Sequence, residues 1–169
     1  SDNAQAVEQK GVIKMKLWDK GYELDKEIEK FTVGNDYLLD KNLIEYDVYG
    51  SIAHAKMLNK IGILSKEEVQ KLKKELAEIL SLNKKSKFEI KLEDEDVSTA
   101  IENYLTKKLG DLGKKIHTAR SRNDQILVDV RLYSKDKLLE VQQSSIELIG
   151  LLISAAQKYK NVPMPGYTH

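Results

Sequence analysis

The sequence contains no cysteine, which excludes disulfides, thiol nucleophiles and thiolate-ligated zinc and is compatible with a reducing compartment. Proline is nearly missing as well. Its two occurrences, Pro163 and Pro165, fall close to the end of the chain, so nothing ahead of them removes a backbone donor from a helix. Histidine is confined to His54, His117 and His169, a spacing that fits no compact ligand motif, so no metal is expected; no cofactor is expected either. Charge of one sign is not in excess either. Lys and Arg number 28 against 27 Asp and Glu, a formal charge of +1 that provides no basic field to gather phosphates, and nucleic acid is not an expected partner. No uninterrupted apolar run nears the roughly 20 residues that span a bilayer, and the first residues lack a signal-peptide core, so no membrane partner and a cytoplasmic location are expected.

What the chain does have is enough apolar material for one core: 41% of 169 residues are hydrophobic, and Leu, Lys, Glu, Ile and Ala dominate. These are helix formers, and the expected fold class is all-α. Residues 1–14 are polar and aperiodic ahead of Met15 and read as a tag or flexible arm outside the fold. Between 40 and 61, Leu43, Tyr46, Asp47, Gly50, Ala53, His54, Met57 and Ile61 recur at helical steps as a mixed face, with Gly50, Ser51 and Ala53 permitting close helix approach. Ser65-Lys66-Glu67-Glu68 is a capping box, followed by the stripe Val69, Leu72, Leu76, Ile79 and Leu80. The alternation from Phe88 to Leu92 suggests a short extended piece with no obvious partner strand. A further helix is predicted from 98 to about 109, closed by Gly110.

From 121 to about 158, Leu127, Val130, Leu138, Val141, Leu148 and Leu152 form a narrow seam, with Ser134 and Ser145 at intermediate positions. A helix of that length, near 55 Å at about 1.5 Å per residue, is too long to bury itself against so small a domain. It calls for partner helices, supplied by further sequence or by other subunits.

Three clusters carry possible chemistry. The run from Lys115 to Gln125 precedes the long helix, where unpaired N–H groups and the positive dipole end favour an anion. There Arg122 offers a bidentate fork, while Ser121 and Asn123 offer adjustable hydrogen bonds. The competing account is a plain capping run whose arginines pair with neighbouring acids. Glu93-Asp94-Glu95-Asp96 could hold a base or a metal, but an acidic cap for the next helix is the stronger reading. His54 reads as a packed, hydrogen-bonded residue rather than a catalyst, and His117 as structural. In Met164-Pro165-Gly166-Tyr167-Thr168-His169, a forced turn presents Thr168 and a histidine able to move protons near neutral pH, unless His169 has no role at all.

Taken together these residues resemble the argininosuccinate lyases of the fumarase and aspartase superfamily. The similarity is carried by Leu17-Trp18 with Gly21, by 46–54 (Tyr-Asp-Val-Tyr-Gly-Ser-Ile-Ala-His), by Glu95-Asp96-Val97, by 117–125 (His-Thr-Ala-Arg-Ser-Arg-Asn-Asp-Gln) and by Pro165-Gly166-Tyr167-Thr168-His169. The resemblance implies a helical domain over 15–120 and, over 121–169, the start of a central helical bundle. It implies β-elimination of argininosuccinate to arginine and fumarate in arginine biosynthesis, in a homotetramer whose sites each draw on three subunits. Ser121, Arg122, Asn123 and Thr168 would bind substrate, His169 would be the acid–base histidine or its polarising partner, and Asp96 would orient the site. Asp36 stands where the family has a substrate-binding serine and could meet an ammonium or guanidinium instead. Two departures are Ser98, where the family has histidine, and Ala119, where it has glycine. The family's flexible serine loop falls beyond position 169, so this chain alone is expected to be inactive. The alternative function is that of a non-catalytic structural or interaction protein on the same scaffold, as the delta-crystallins are.

Overall fold

Residues 34–168 are described in the computed structural model. The proposed arm over 1–14 and the motif residues Leu17, Trp18 and Gly21 lie outside them. Every regular element among the described residues is helical, in keeping with the all-α expectation. In chain order these are α1 (Asp36–Leu39), α2 (Ile44–Lys60), α3 (Lys66–Lys84), α4 (Val97–Leu109), α5 (Asp111–Lys114) and α6 (Arg122–Tyr159), with short 3-10 turns at Asp40–Asn42, Leu92–Asp94 and Lys115–His117.

Local chemistry sets the helix ends. The Ser65 hydroxyl accepts from the Glu68 N–H at 3.1 Å and the Glu68 carboxylate accepts from the Ser65 N–H at 2.8 Å, so the capping box forms reciprocally. Asp96 caps α4 by accepting from the Thr99 N–H at 2.7 Å. Gly110 ends α4 at φ 61 and ψ −134, backbone that only glycine adopts freely, and its N–H reaches the Thr106 carbonyl at 2.8 Å. That turn starts α5 at once, and buried Gly113 packs against the α4 backbone. The extended piece expected over 88–92 forms no strand. With no neighbour to pair with, it runs as an irregular connection and ends in a 3-10 turn, Phe88 meeting Tyr104 edge-on at 6.0 Å.

The chain groups into two compact units, one reaching Val130 and one from Arg131 onward. In the first, α2, α3 and α4 pack on one another around Ile44, Val48, Ala55, Leu58, Val69, Leu72, Leu76, Ile79, Val97, Ile101 and Leu105, with Leu80 packed partly buried at the margin. Each Leu or Ile fully withdrawn from water here contributes about 2 kcal/mol. The α3 stripe is the one expected from its periodicity. On α2 the buried face is rotated from the expected one: Ile44, Asp47, Val48, Ser51, Ala55 and Leu58 face inward, while Ala53, Met57 and Ile61 are exposed. Two stripes on this helix satisfy the same steps, and packing against α3 and α4 selects between them.

The second unit holds the remainder of α6 and residues 160–168. All 38 residues of α6 are one helix, about 57 Å long at about 1.5 Å per residue, as the Pro-free pattern predicts. The seam is wider than expected. Ile146, Leu148, Ile149, Leu151, Leu152 and Ile153 are each more than half exposed, and at about 100° per residue they cover an arc of about 220°. In addition, α6 is long and apolar enough over one stretch to cross a membrane by length and composition alone. No uninterrupted run shows it because Glu147, Gly150 and serines are interspersed. A core helix of a soluble protein meets the same criterion, so this feature decides nothing by itself.

Candidate functional site

Residues 117–125 are built onto the first unit by contacts from α2 and from α4 with its capping residue. The chain leaves the 3-10 turn Lys115–His117, turns back at Ala119 and enters α6 at Arg122. The His54 Nε2 meets the Thr118 carbonyl at 2.9 Å and fixes the turn to α2. Burial is the larger influence on that ring and lowers its pKa, with Arg120 and His117 adding to the effect. His117 lies 3.8 Å from the Glu102 carboxylate, and the structural roles expected for both histidines match these contacts.

Arg120 turns inward and donates to the Ser51 hydroxyl at 3.0 Å. Gly50 is its close neighbour: a Cβ there would sit in ordinary contact, 3.4 Å from the guanidinium and 3.6 Å from an Asp129 oxygen. Of the small residues expected to permit close helix approach, Gly50 comes near Val128 and Asp129 of α6, whereas Ala53 is exposed. Burial depresses the Arg120 pKa, opposed by Asp47 and Asp129.

Under this arginine is a buried polar cluster. Asp47 is fully buried and accepts from the Ser51 hydroxyl at 2.9 Å, the Ser98 hydroxyl at 2.6 Å and the Gln125 amide at 2.9 Å. Thus Ser98, which replaces the expected histidine, ties α4 to the same carboxylate that holds α2 and α6. Asp129, one turn beyond Gln125, is equally buried, and as a carboxylate neither of its oxygens finds a donor. Burial and the facing Asp47 carboxylate push its pKa up to about 8, against the pull of Arg120, and a protonated Asp129 becomes a donor to Asp47.

At the helix start, the Ser121 hydroxyl accepts from the Asn123 N–H at 3.2 Å while the Asp124 carboxylate accepts from the Ser121 N–H at 3.3 Å. Arg122 donates to Asp96. Asp96 itself follows a turn in which Glu95, at φ 67 and ψ −50, brings the Asp96 N–H within 2.8 Å of the Asp94 carbonyl. A γ-turn of this positive-φ form stores strain, here immediately beside the aspartate that anchors Arg122. Asp94 is buried and accepts from Asn103 at 2.9 Å and from the Lys91 N–H at 3.1 Å. The acidic run thus caps and braces, and no metal-holding group of His, Cys, Asp or Glu occurs among the described residues.

The structure therefore brings Ser121, Arg122 and Asn123 together at the N-terminus of α6. Ser121 and Asn123 are exposed; Arg122 is committed to Asp96. Thr168 is exposed and belongs to the second unit. Asp36 opens α1, but its side chain is outside what is described, as is His169. The residues that sequence reasoning missed are the partners underneath. Asp47 was legible as part of a mixed face and of the 46–54 run but not as a buried acid, and Asp129 carried one weak signal, being a polar residue one turn after Gln125.

Comparison with known proteins bears directly on this arrangement. A family profile described as lyase matches residues 21–169. The chain belongs to this lyase family. Over 154 residues it is 51% identical to the argininosuccinate lyase of Thermotoga neapolitana, aligning 91% of this chain with 39% of that protein. The argininosuccinate lyase of Bacteroides fragilis is 47% identical over 91% of this chain and 34% of its own length, and that of Stenotrophomonas maltophilia 45% identical over 90% and 36%. The chain thus spans little more than a third of the relatives it matches. Within this lyase fold Ala119 is a local misfit, because its φ of 55 is left-handed. A non-glycine residue there costs about 1–2 kcal/mol, and the larger unfolded-state freedom of glycine returns about 0.4–1 kcal/mol of that. Ala119→Gly is accordingly expected to stabilise the chain by about 0.5–1 kcal/mol, seen as a higher urea midpoint; a lower one would contradict the strain.

Proposed function

We propose that this chain supplies part of an argininosuccinate lyase, acting in arginine biosynthesis in the cytoplasm by reversible β-elimination without metal or cofactor. A base takes the proton from the carbon beside a succinyl carboxylate, the electron pair is held on that carboxylate as the aci form, and the guanidino nitrogen leaves as it is protonated. The C–N bond breaks, and the products are fumarate and arginine. The observation that carries the proposal is the helix start: Ser121 and Asn123 stand exposed at the positive end of α6, with Arg122 braced by Asp96. Donors fixed there suit a carboxylate that gains charge during the reaction. Because Arg122 is engaged, its part is to add positive potential and position, with Asn123 and Ser121 making the contacts.

Thr168 and His169 would complete the site from other subunits of a homotetramer, His169 as the acid–base group or its polarising partner. Asp36 would contact the substrate's cationic end. The experiment is to replace Asn123 by alanine in the full-length assembled enzyme and follow fumarate by its ultraviolet absorbance. We expect kcat to drop by about 100-fold or more with helicity unchanged. Unaltered turnover in a folded Asn123→Ala enzyme would remove Asn123 from the site. The 169-residue chain alone is expected to release no fumarate.

A further inference from the structure

The buried carboxyl pair under the helix start is not needed to cap α6, to contact substrate or to fill the apolar core. Asp47 from α2 and Asp129 from α6 are both fully buried, and Asp47 already satisfies three donors drawn from α2, α4 and α6. Asp129 has none among the described residues unless it carries a proton itself. We infer that one proton held between Asp47 and Asp129 latches the first two turns of α6 onto the helical domain, and that its loss loosens the end bearing Ser121, Arg122 and Asn123.

The charges around the pair set the sense of the latch. Arg120, from the segment before α6, faces both carboxylates; Asp40, from the 3-10 turn ahead of α2, adds negative charge while accepting from the Val97 N–H at 3.0 Å. On α6 itself Arg122 and Asp124 lie nearby and act on Arg120 with opposite sign, and α4 contributes neutral Ser98 to the pair and Asp96 to Arg122. Arg120 donates to Ser51, and no donor of its guanidinium reaches either Asp129 oxygen, so it does not replace the proton. Two facing carboxylates with one competing cation in a site closed to water cannot both ionise cheaply. The Asp129 pKa is raised in the folded chain, so its contribution to docking is full below the ordinary carboxylate range. It declines as the pH rises toward about 8, and levels off above that. The latch is independent of what the helix start binds.

Amide hydrogen exchange on the 169-residue chain tests it, corrected for intrinsic rates, between about pH 5.5 and about pH 8.5. Protection of the amides of 125–130, the first with backbone acceptors in α6, is expected to fall by about tenfold or more over that range. Amides in the middle of α3 should change much less, and the fall should be absent in Asp129→Asn, whose amide is neutral at every pH. Equal loss in α3, no loss at 125–130, or the same loss in Asp129→Asn would each overturn the latch. Should Asp129→Asn not fold, carboxyl carbon NMR of the unmodified chain decides instead: one aspartate titrating alongside the loss of protection supports the latch, and none titrating above about pH 6 overturns it.

Discussion

Gly113→Ala is expected to destabilise the first unit by about 3 kcal/mol or more. An added Cβ would lie 2.4 Å from the Leu105 carbonyl carbon and 2.4 Å from the Thr106 nitrogen, well inside any contact that atoms tolerate. Both are main-chain atoms in the last turns of α4, so no side chain can swing aside. To admit the methyl group, α5 would have to lift from α4, exposing Leu105 and Ile116 and disturbing the 3-10 turn that leads to residues 117–125. Urea unfolding measures the loss, and Gly150→Ala is the matched control. Gly150 sits inside α6 with nothing within 4 Å of its would-be Cβ, so alanine there should raise stability by about 1 kcal/mol through helix propensity. An unchanged midpoint for Gly113→Ala would mean that α5 does not rest on α4 as described.

The second large effect concerns assembly. The 169-residue chain is expected to self-associate through α6, and Leu148→Glu with Leu152→Glu to weaken that association by at least about 100-fold. Both leucines are well exposed, 57% and 60%, so the change should leave helicity and unfolding of the first unit untouched. An apolar arc as wide as that of 146–153 cannot be covered by one partner helix, which takes a narrow stripe. At least two helices are needed. Sedimentation of the parent as a clean monomer at high concentration, or of the double variant as the same oligomer, would contradict the prediction.

Which parts of this structure could be seen in advance follows from how local their causes are. The Ser65–Glu68 box, the α3 stripe, the Gly110 stop and the span of α6 each depend on residues within a few positions of one another, and each formed as expected. The buried face of α2 did not, because Ile44, Val48, Ala55 and Leu58 compete with a second stripe of equal periodicity and only tertiary packing decides. The helix start was legible as an anion-favouring segment and also as a capping run. The structure shows the caps and the Arg122–Asp96 pair of the second account, on residues that the first also requires. The burial of Asp47 together with Asp129 stayed hidden for a different reason. Burial of two acids is unfavourable by every composition rule, and its compensation comes from Ser51, Ser98, Arg120 and Gln125, scattered across 75 positions of chain between the first and last.

The contact between His54 and the Thr118 carbonyl has a spectroscopic consequence. A carbonyl oxygen can only accept, so the ring nitrogen facing it must hold the hydrogen, and the neutral imidazole is confined to the Nε2–H tautomer. The two ring nitrogens of such a histidine have widely separated nitrogen chemical shifts, and the separation shrinks when tautomers interconvert freely. His54 is therefore a native reporter: with no label beyond isotopes, its tautomer signature reads out whether the turn that launches the long helix is seated on the domain or has come away.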